Sequence, residues 1–232
     1  MFFVIIKIGD DMKLLLQAII KFLSGLLIVG LLLFVPAGTI KYYNAWLFIE
    51  LLFIPMFFVG ILMFFKNKNL LKSRLNAKEK ESDQKVVIIL SAIMFITGFV
   101  VAGLNYRFGW IQLPNIVVII SSIVFIISYI LYGEVLRENT YLSRTIEVKK
   151  NQKLIDTGLY GIVRHPMYLA TIIMFLSIPL ILGSLLSFVI FLDYPFIIVR
   201  RINNEEMVLE EKLKGYKEYK KKVKYKLIPF IY

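Results

Sequence analysis

The sequence contains no cysteine and only one histidine among its 232 residues. The absence of cysteine excludes disulfides, thiol catalysis and thiolate metal sites. The sequence also lacks the Gly-x-Gly-x-x-Gly fingerprint of dinucleotide-binding folds. It has no internal repeat and no low-complexity linker, so a tandem or solenoid architecture is excluded as well.

Acidic residues are scarce, with 16 aspartates and glutamates against 28 lysines and arginines, for a formal net charge of +12. Such a charge can indicate nucleic-acid binding, but here the basic residues flank apolar segments and do not cover one soluble face. We therefore expect them to bind anionic membrane lipids, and we expect no nucleic-acid partner.

Hydrophobic residues, in contrast, make up 59% of the chain and give it a mean hydropathy of +0.75. These values exceed what a soluble domain of this length normally carries. Four stretches reach the roughly 20 residues that a membrane-spanning helix needs. We therefore predict an all-α, polytopic integral membrane protein, a helical bundle whose four full spans cover residues 14–35, 45–65, 86–104 and 116–136.

Two shorter apolar segments, 168–182 and 185–199, follow the fourth span. Gly183 and Ser184 between them are turn residues, and Pro179 and Pro195 each interrupt one arm. We predict a helical hairpin of two short, bent helices.

The tail from residue 200 carries apolar residues at helical spacing, with lysines and glutamates between them. This pattern predicts an interfacial amphipathic helix whose tyrosines lie at the depth of the lipid headgroups. We expect residues 1–136 to form the four-helix membrane bundle and residues 137–232 to form a second unit of connector, hairpin and tail helix. The tail pattern consists of Leu209, Leu213, Tyr216, Tyr219 and Val223.

The distribution of basic residues predicts the topology, because short basic loops stay in the cytoplasm. Lysines and arginines are dense in a charged linker at 66–85, in the connector at 137–166 and in the tail, whereas the other loops hold only Lys41 and Arg107. We therefore expect the N-terminus, the linker, the connector and the tail to be cytoplasmic, with six crossings in all. No cleavable signal peptide is expected.

Three charged residues fall within the apolar segments: Lys21, Glu50 and Asp193. Lys21 and Glu50 belong to opposite leaflets, so we expect each to extend to its own interface. Asp193 either helps to shape a site or neutralises Arg200. A small transporter that uses these charges is a competing hypothesis, weakened because the three do not align in depth.

The only histidine lies in a polar cassette, Arg164-His165-Pro166-Met167-Tyr168. Pro166 suits the first turn of the following helix, so Arg164 and His165 are expected at a helix N-terminus, which attracts anionic groups. The alternative is that Arg164 binds a lipid phosphate and His165 caps the helix.

Beyond the hairpin, Arg201 and Glu205 are four residues apart and share a helix face, whereas Glu206 points about 100° away. An exposed helical salt bridge is the simpler interpretation of such a pair. A short hairpin, however, would bring these residues close to the cassette. Carboxylates, an arginine and aromatic rings together suit a zwitterionic, cationic cofactor.

These motifs resemble the isoprenylcysteine carboxyl methyltransferase family, to which phospholipid N-methyltransferases are related. The resemblance covers residues 137–232 and depends on several motifs that occur in the family's order. They are Gly158-Leu159-Tyr160, the Arg164 to Tyr168 cassette, Arg201 with Glu205-Glu206, Tyr216-Lys217-Glu218-Tyr219 and Ile228-Pro229-Phe230-Ile231.

The resemblance implies a membrane-embedded methyltransferase that uses S-adenosylmethionine without a Rossmann domain or a metal. Arg201 and Glu205 would be catalytic, closest to the reacting centre. The cofactor would enter from the cytosol and a lipidic or prenylated acceptor from between the helices, with no obligate protein partner. The implied cofactor-binding residues are Gly158, Tyr160, Arg164, His165, Pro166, Tyr168, Glu205 and Glu206.

The acceptor stays open at this point. A carboxylate acceptor needs no base and would be oriented by Arg201, whereas an amine acceptor needs Glu205 as base. Ala170 and Asn203-Asn204 depart from the family pattern, and the asparagines put the identity of the acceptor in doubt.

The abundance of isoleucine, lysine and asparagine favours a prokaryotic inner membrane. A non-catalytic, lipid-binding adaptor is a further alternative, but it leaves the polar residues that flank the hairpin unexplained.

Overall fold

The computed structural model describes residues 2–76, 82–143, 145, 146, 148 and 151–232. The described residues form α-helices, together with a 3-10 turn at Gly158–Gly161 and one isolated β-bridge between Gln112 and Ser184. The helices are α1 (Phe2–Ala37), α2 (Tyr43–Lys66), α3 (Lys68–Leu75), α4 (Ser82–Phe108), α5 (Asn115–Glu138), α6 (Pro166–Ile181), α7 (Leu185–Phe191), α8 (Asp193–Lys212) and α9 (Tyr216–Lys222).

Four of these helices are long and apolar enough to cross a membrane. They expose large apolar side chains along their length, among them Leu27, Phe58 and Ile127, as lipid-facing helices do. The prediction of a polytopic helical membrane protein is therefore confirmed. The four spanning segments are Asp10–Ala37, Tyr43–Lys66, Gln84–Phe108 and Asn115–Glu138.

An aromatic core holds the spans and the hairpin together. Phe48, Phe99, Phe125 and Phe191 are buried, and their rings lie between 5.7 and 6.2 Å from one another in successive pairs. Helix α7 approaches α4 closely because position 98 is glycine, where a Cβ would overlap the Phe191 ring. This close contact fixes the hairpin against the third span.

The hairpin extends the full length of the bundle. Its turn lies beside the connections at the far end, where the Tyr42 hydroxyl donates to the Leu182 carbonyl at 2.6 Å and the Leu113 amide donates to Gly183 at 3.0 Å. Helix α6 packs along α5, starting where α5 ends and ending where α5 begins. Both ends of the hairpin therefore lie at the same end of the bundle.

The second arm differs from the prediction, because it consists of α7 and the first half of α8. Leu192 separates the two helices, and α8 then continues from Asp193 through Arg201 to Lys212 without ending at residue 199. Pro195 lies in the first turn of α8, where its missing N–H has no helical partner to lose. The proline therefore permits the start of a helix and does not interrupt one.

The tail also differs from the prediction of one interfacial helix. Helix α8 ends at Lys212, Gly215 adopts a left-handed backbone with φ of 86°, and α9 follows. The apolar residues Leu213, Tyr216, Tyr219 and Val223 are buried together and contact the connector through Leu154. These apolar residues form a face that packs inside the protein, because the connector covers it and separates it from lipid.

Within the predicted charged linker, residues 68–75 form helix α3, whose N-cap Asn67 accepts a hydrogen bond from the Leu70 amide. Residues 77–81 of that linker lie outside the described residues. Lys21 donates to the Leu75 carbonyl at the end of α3. Glu50 and Asp193 are both exposed.

Candidate functional site

A cavity lies at the end of the bundle where α5 ends and α6 begins. It contains about 820 Å³ of empty space, a volume that includes the open solvent at its mouth. The connector, the start of α6, the second half of α8 and α9 each supply part of its wall. Its lining includes Asn139, Tyr141, Leu142, Gln152, Lys153, Leu154, Tyr160, Arg164, His165, Met167, Tyr168, Arg201, Glu205, Leu209, Leu213, Tyr216 and Tyr219.

Glu206 joins the elements behind this cavity. Its Oε1 accepts from Arg164 Nε at 2.6 Å and lies 3.2 Å from His165 Nε2, and its Oε2 lies 3.5 Å from Lys220 Nζ. The glutamate is only 4% exposed. A buried carboxylate with several cationic and hydrogen-bonding partners connects α8 to the start of α6 and to α9.

Arg164 also binds the segment that follows α9. Its Nη1 donates to the Val223 and Lys224 carbonyls, each at 2.7 Å. The backbone amide of Arg164 donates to Tyr225 O, and the amide of His165 donates to Lys226 O, both at 2.9 Å. This short pairing closes the cassette against the tail.

These contacts bear on the alternatives for the cassette. Arg164 is buried and its charge is paired with Glu206, which disfavours the interpretation that it binds a lipid phosphate. His165 occupies the N-cap position of α6 with Pro166 after it, but its ring makes no capping bond and contacts Glu206. The cassette is therefore part of the wall of the cavity.

The ionisation of Glu206 follows from these partners. Burial raises the pKa of the Glu206 carboxyl, but the hydrogen bonds from His165 and Arg164 outweigh burial and lower this pKa to about 2. A carboxyl whose pKa is depressed on folding contributes stability at pH values above its unfolded pKa. The contribution of Glu206 is thus complete near neutral pH and is lost as the pH falls towards 2.

Tyr168 links the two residues expected to be catalytic. Its hydroxyl donates to Glu205 Oε2 at 2.5 Å and accepts from Arg201 Nε at 2.8 Å. The guanidinium carbon of Arg201 also lies 5.9 Å from the centre of the Tyr168 ring. Arg201, Tyr168 and Glu205 therefore form one hydrogen-bonded row along the cavity wall.

Three tyrosines from the connector and α9 form another part of the wall. The Tyr219 hydroxyl donates to the Tyr160 carbonyl at 2.7 Å, and Asn139 Nδ2 donates to the Tyr160 hydroxyl at 3.2 Å. Burial raises the pKa of Tyr160 and of Tyr219, so both hydroxyls stay protonated. The Tyr216 hydroxyl, in contrast, is buried and has no hydrogen-bond partner among the described residues.

The structure separates the predicted site residues into two groups. One group borders the cavity, whereas Gly158, Pro166 and Glu206 do not. Pro166 starts α6, and Glu206 lies behind the wall and holds Arg164 and His165 in place. The residues that border the cavity are Tyr160, Arg164, His165, Tyr168, Arg201 and Glu205.

Gly158 has a backbone role next to the site. Its φ is +57°, and the Glu138 carboxylate lies in the space that a Cβ would occupy. That carboxylate accepts from the Leu159 amide at 3.0 Å and so anchors the 3-10 turn to the end of α5.

Replacing Gly158 with alanine is expected to destabilise the protein by about 1–2 kcal/mol, since the new Cβ meets an unfavourable φ and displaces the flexible Glu138 carboxylate from the Leu159 amide. Thermal unfolding in detergent measures the loss. Gly161→Ala is the matched control: its Cβ would lie 3.3 Å from the Asp156 carbonyl, without a positive φ. An equal loss in both variants would contradict this account of Gly158.

Sequence reasoning missed the parts of the wall that come from the connector and the tail. Asn139, Tyr141 and Gln152 lie in irregular backbone, where no periodic pattern could have identified them. Tyr216 and Tyr219 had a usable signal, since they repeat with Leu213 at helical spacing. The same spacing is also typical of a membrane-facing helix, and the sequence alone therefore predicts that these tyrosines lie at the lipid interface.

Comparison with known proteins bears on this same region. The model of the family described as phospholipid methyltransferase matches residues 111–215. Delta(14)-sterol reductase TM7SF2 of Mus musculus is 35% identical over 91 residues, which cover 38% of this chain and 22% of the reductase. The chain thus spans about a fifth of the length of this relative. The segment from α5 to the end of α8, which supplies most of the cavity wall, is similar to phospholipid methyltransferases.

Proposed function

We propose that this integral membrane protein is an S-adenosylmethionine-dependent methyltransferase that acts on a lipid-like acceptor. The observation that carries the proposal is the row of Arg201, Tyr168 and Glu205 on the cavity wall, within the residues similar to phospholipid methyltransferases. Residues 137–232 are the methyltransferase core in this proposal, and residues 1–136 are its membrane bundle.

The residues around the cavity fit such a cofactor. Tyrosine rings and the Glu205 carboxylate suit a sulfonium cation, which aromatic faces and negative charge both attract. The unpartnered Tyr216 hydroxyl supplies a polar group at the same wall. When bound, S-adenosylmethionine supplies an electrophilic methyl group. His165 and Arg164 are held by Glu206 before any ligand arrives, so this wall is preorganised.

For a carboxylate acceptor, Arg201 is the orienting group. Methyl transfer is a direct displacement, and alignment of the two reacting atoms is its main catalytic resource. The planar guanidinium of Arg201 is fixed by the Tyr168 hydroxyl and ring. A guanidinium held in this way can bind a carboxylate with defined geometry, and no base is required.

An amine acceptor is the alternative within the same chemistry, because the matched family is described by its phospholipid substrates. An amine must lose a proton to become nucleophilic, and Glu205 borders the cavity as the candidate base. Mass analysis of the methylated lipid separates the two reactions, since it identifies the oxygen or nitrogen that gains the methyl group.

The position of the cavity favours a lipid-like acceptor. Asn139 directly follows the spanning helix α5, and Met167 lies in the first turn of α6, and both border the cavity. The cavity is therefore at the level where these helices leave the membrane, so an acceptor can enter from the bilayer. The basic segments around it favour a cytoplasmic active site. The abundance of isoleucine, lysine and asparagine favours a prokaryotic inner membrane.

Reduction of a sterol-like double bond is a second candidate, favoured by the 35% identity with Delta(14)-sterol reductase. A reductase needs a hydride donor such as a nicotinamide dinucleotide. The sequence lacks the usual glycine-rich fingerprint for that cofactor. Direct binding measurements decide between the two cofactors.

Calorimetric titration of detergent-purified protein with S-adenosylhomocysteine is the test of the proposed function. We expect saturable binding by the wild type and at least a tenfold loss in Glu205→Ala, because the variant removes a charge that borders the cavity. Glu211→Ala is the matched control, since Glu211 is exposed on the same helix. If the wild type binds NADPH and does not bind S-adenosylhomocysteine, the methyltransferase proposal is overturned in favour of a reductase.

A further inference from the structure

Tyr216 has a buried hydroxyl that the protein itself leaves without a partner. The residue is 3% exposed, it borders the cavity, and its hydroxyl makes no hydrogen bond to any described residue. Tyr219, three residues later and equally buried, donates its hydroxyl to the Tyr160 carbonyl. The two equally buried tyrosines thus differ in whether the hydroxyl has a hydrogen-bond partner among the described residues.

An unpartnered buried hydroxyl has an energetic cost. Removing a polar group from water without a hydrogen bond costs about 1–3 kcal/mol, and native proteins leave few such groups. The cost is recovered if the partner belongs to a bound molecule. The Tyr216 side chain borders the cavity, but its hydroxyl has almost no accessible surface, so a molecule in the cavity can supply that partner once the phenol turns slightly towards it.

The surroundings of Tyr216 indicate which kind of partner suits it. Burial first, and then the nearby Glu206 and Glu205 carboxylates, raise the pKa of Tyr216, so its hydroxyl stays protonated and can donate. The same carboxylates disfavour an anionic partner, and the charge of Arg164 is already paired with Glu206. An uncharged oxygen, such as a ribose hydroxyl, is the acceptor that fits.

We propose that Tyr216 is a cofactor-binding residue whose hydroxyl donates a hydrogen bond to an uncharged sugar oxygen of the adenosyl group. This inference depends on the proposed function, since it names a contact within the same cavity. Tyr216 lies one residue beyond 215, where the match to the phospholipid methyltransferase family model ends.

Tyr216→Phe tests the inference, with Tyr219→Phe as its matched control. Each variant removes one hydroxyl and keeps the ring. We measure thermal unfolding without ligand, and binding of S-adenosylhomocysteine and of methylthioadenosine, which has the ribose but no amino-acid group. Tyr216→Phe is expected to unfold at or above the wild-type temperature and to bind both ligands about tenfold more weakly. Tyr219→Phe is expected to unfold at a lower temperature.

Each other result has a definite meaning. Wild-type affinity of Tyr216→Phe for both ligands would overturn the inference and leave the proposed function intact. Weakened binding of S-adenosylhomocysteine alone would overturn the sugar contact in favour of the amino-acid group. Unfolding of Tyr216→Phe at a temperature as low as that of Tyr219→Phe would show that the hydroxyl serves the fold. No binding of either ligand by the wild type would overturn the proposed function together with the inference.

Discussion

Arg201→Lys is expected to lower methyl transfer about a hundredfold while cofactor affinity stays within a few fold of the wild type. Lysine keeps the charge, but it cannot donate to the Tyr168 hydroxyl and offer a planar fork to an acceptor at once. Misplacing a reacting group by about 1 Å can cost a hundredfold in rate. Radiolabel transfer from S-adenosylmethionine to extracted membrane lipids measures the rate.

Arg200→Lys is the control for this experiment, because Arg200 is the preceding residue and is exposed. We expect it to transfer methyl groups at the wild-type rate. Equal rates in both variants would contradict the orienting role of Arg201. If Arg201→Lys lost cofactor affinity by as large a factor as it lost rate, Arg201 would be a cofactor-binding residue and would not orient the acceptor.

Glu206→Gln is expected to destabilise the fold by about 3–5 kcal/mol, because it leaves the buried Arg164 guanidinium without its counter-charge. Such a loss is a large part of the stability of a typical domain. We expect less folded protein on gel filtration in detergent and a lower unfolding temperature. Binding of S-adenosylhomocysteine is expected to fall further than the folded fraction, because Glu206 holds Arg164 and His165 in the cavity wall although it does not border the cavity itself.

Two further variants control for this result. Glu210→Gln breaks a more exposed ion pair with Lys220 and is expected to cost less than about 1 kcal/mol. The double variant Arg164→Met, Glu206→Leu removes both buried charges and is expected to recover part of the stability that Glu206→Gln loses. A Glu206→Gln protein as stable as the wild type would contradict the structural role of this carboxylate.

The sequence was informative wherever a single physical effect governs structure. The four spans could be predicted because only helices satisfy backbone hydrogen bonds in lipid, and their lengths follow from the membrane thickness. The meeting of His165 with Glu206 could be anticipated because a short hairpin brings its two ends together. The motif order then pointed to one site.

Other features were beyond the sequence because two effects compete in them. Pro195 can interrupt a helix or begin one, and only the break at Leu192 decides that it begins α8. Tyr216 and Tyr219 fit a lipid-facing helix and a protein-facing helix equally well until the connector is placed against them. Glu206 fits a cofactor contact or a scaffold role from the sequence, and its hydrogen bond from Arg164 supports the scaffold role.

The backbone pairing of Arg164 and His165 with Tyr225 and Lys226 has a consequence for biosynthesis. The spans and the hairpin precede residue 200 and can enter the membrane while the ribosome is still translating the remainder. The cavity wall cannot close until residues 223–226 have left the ribosomal tunnel and returned to the cassette. Insertion therefore comes before assembly of the site, and the cavity wall of a nascent chain in the membrane stays open until residues 223–226 have been translated and released.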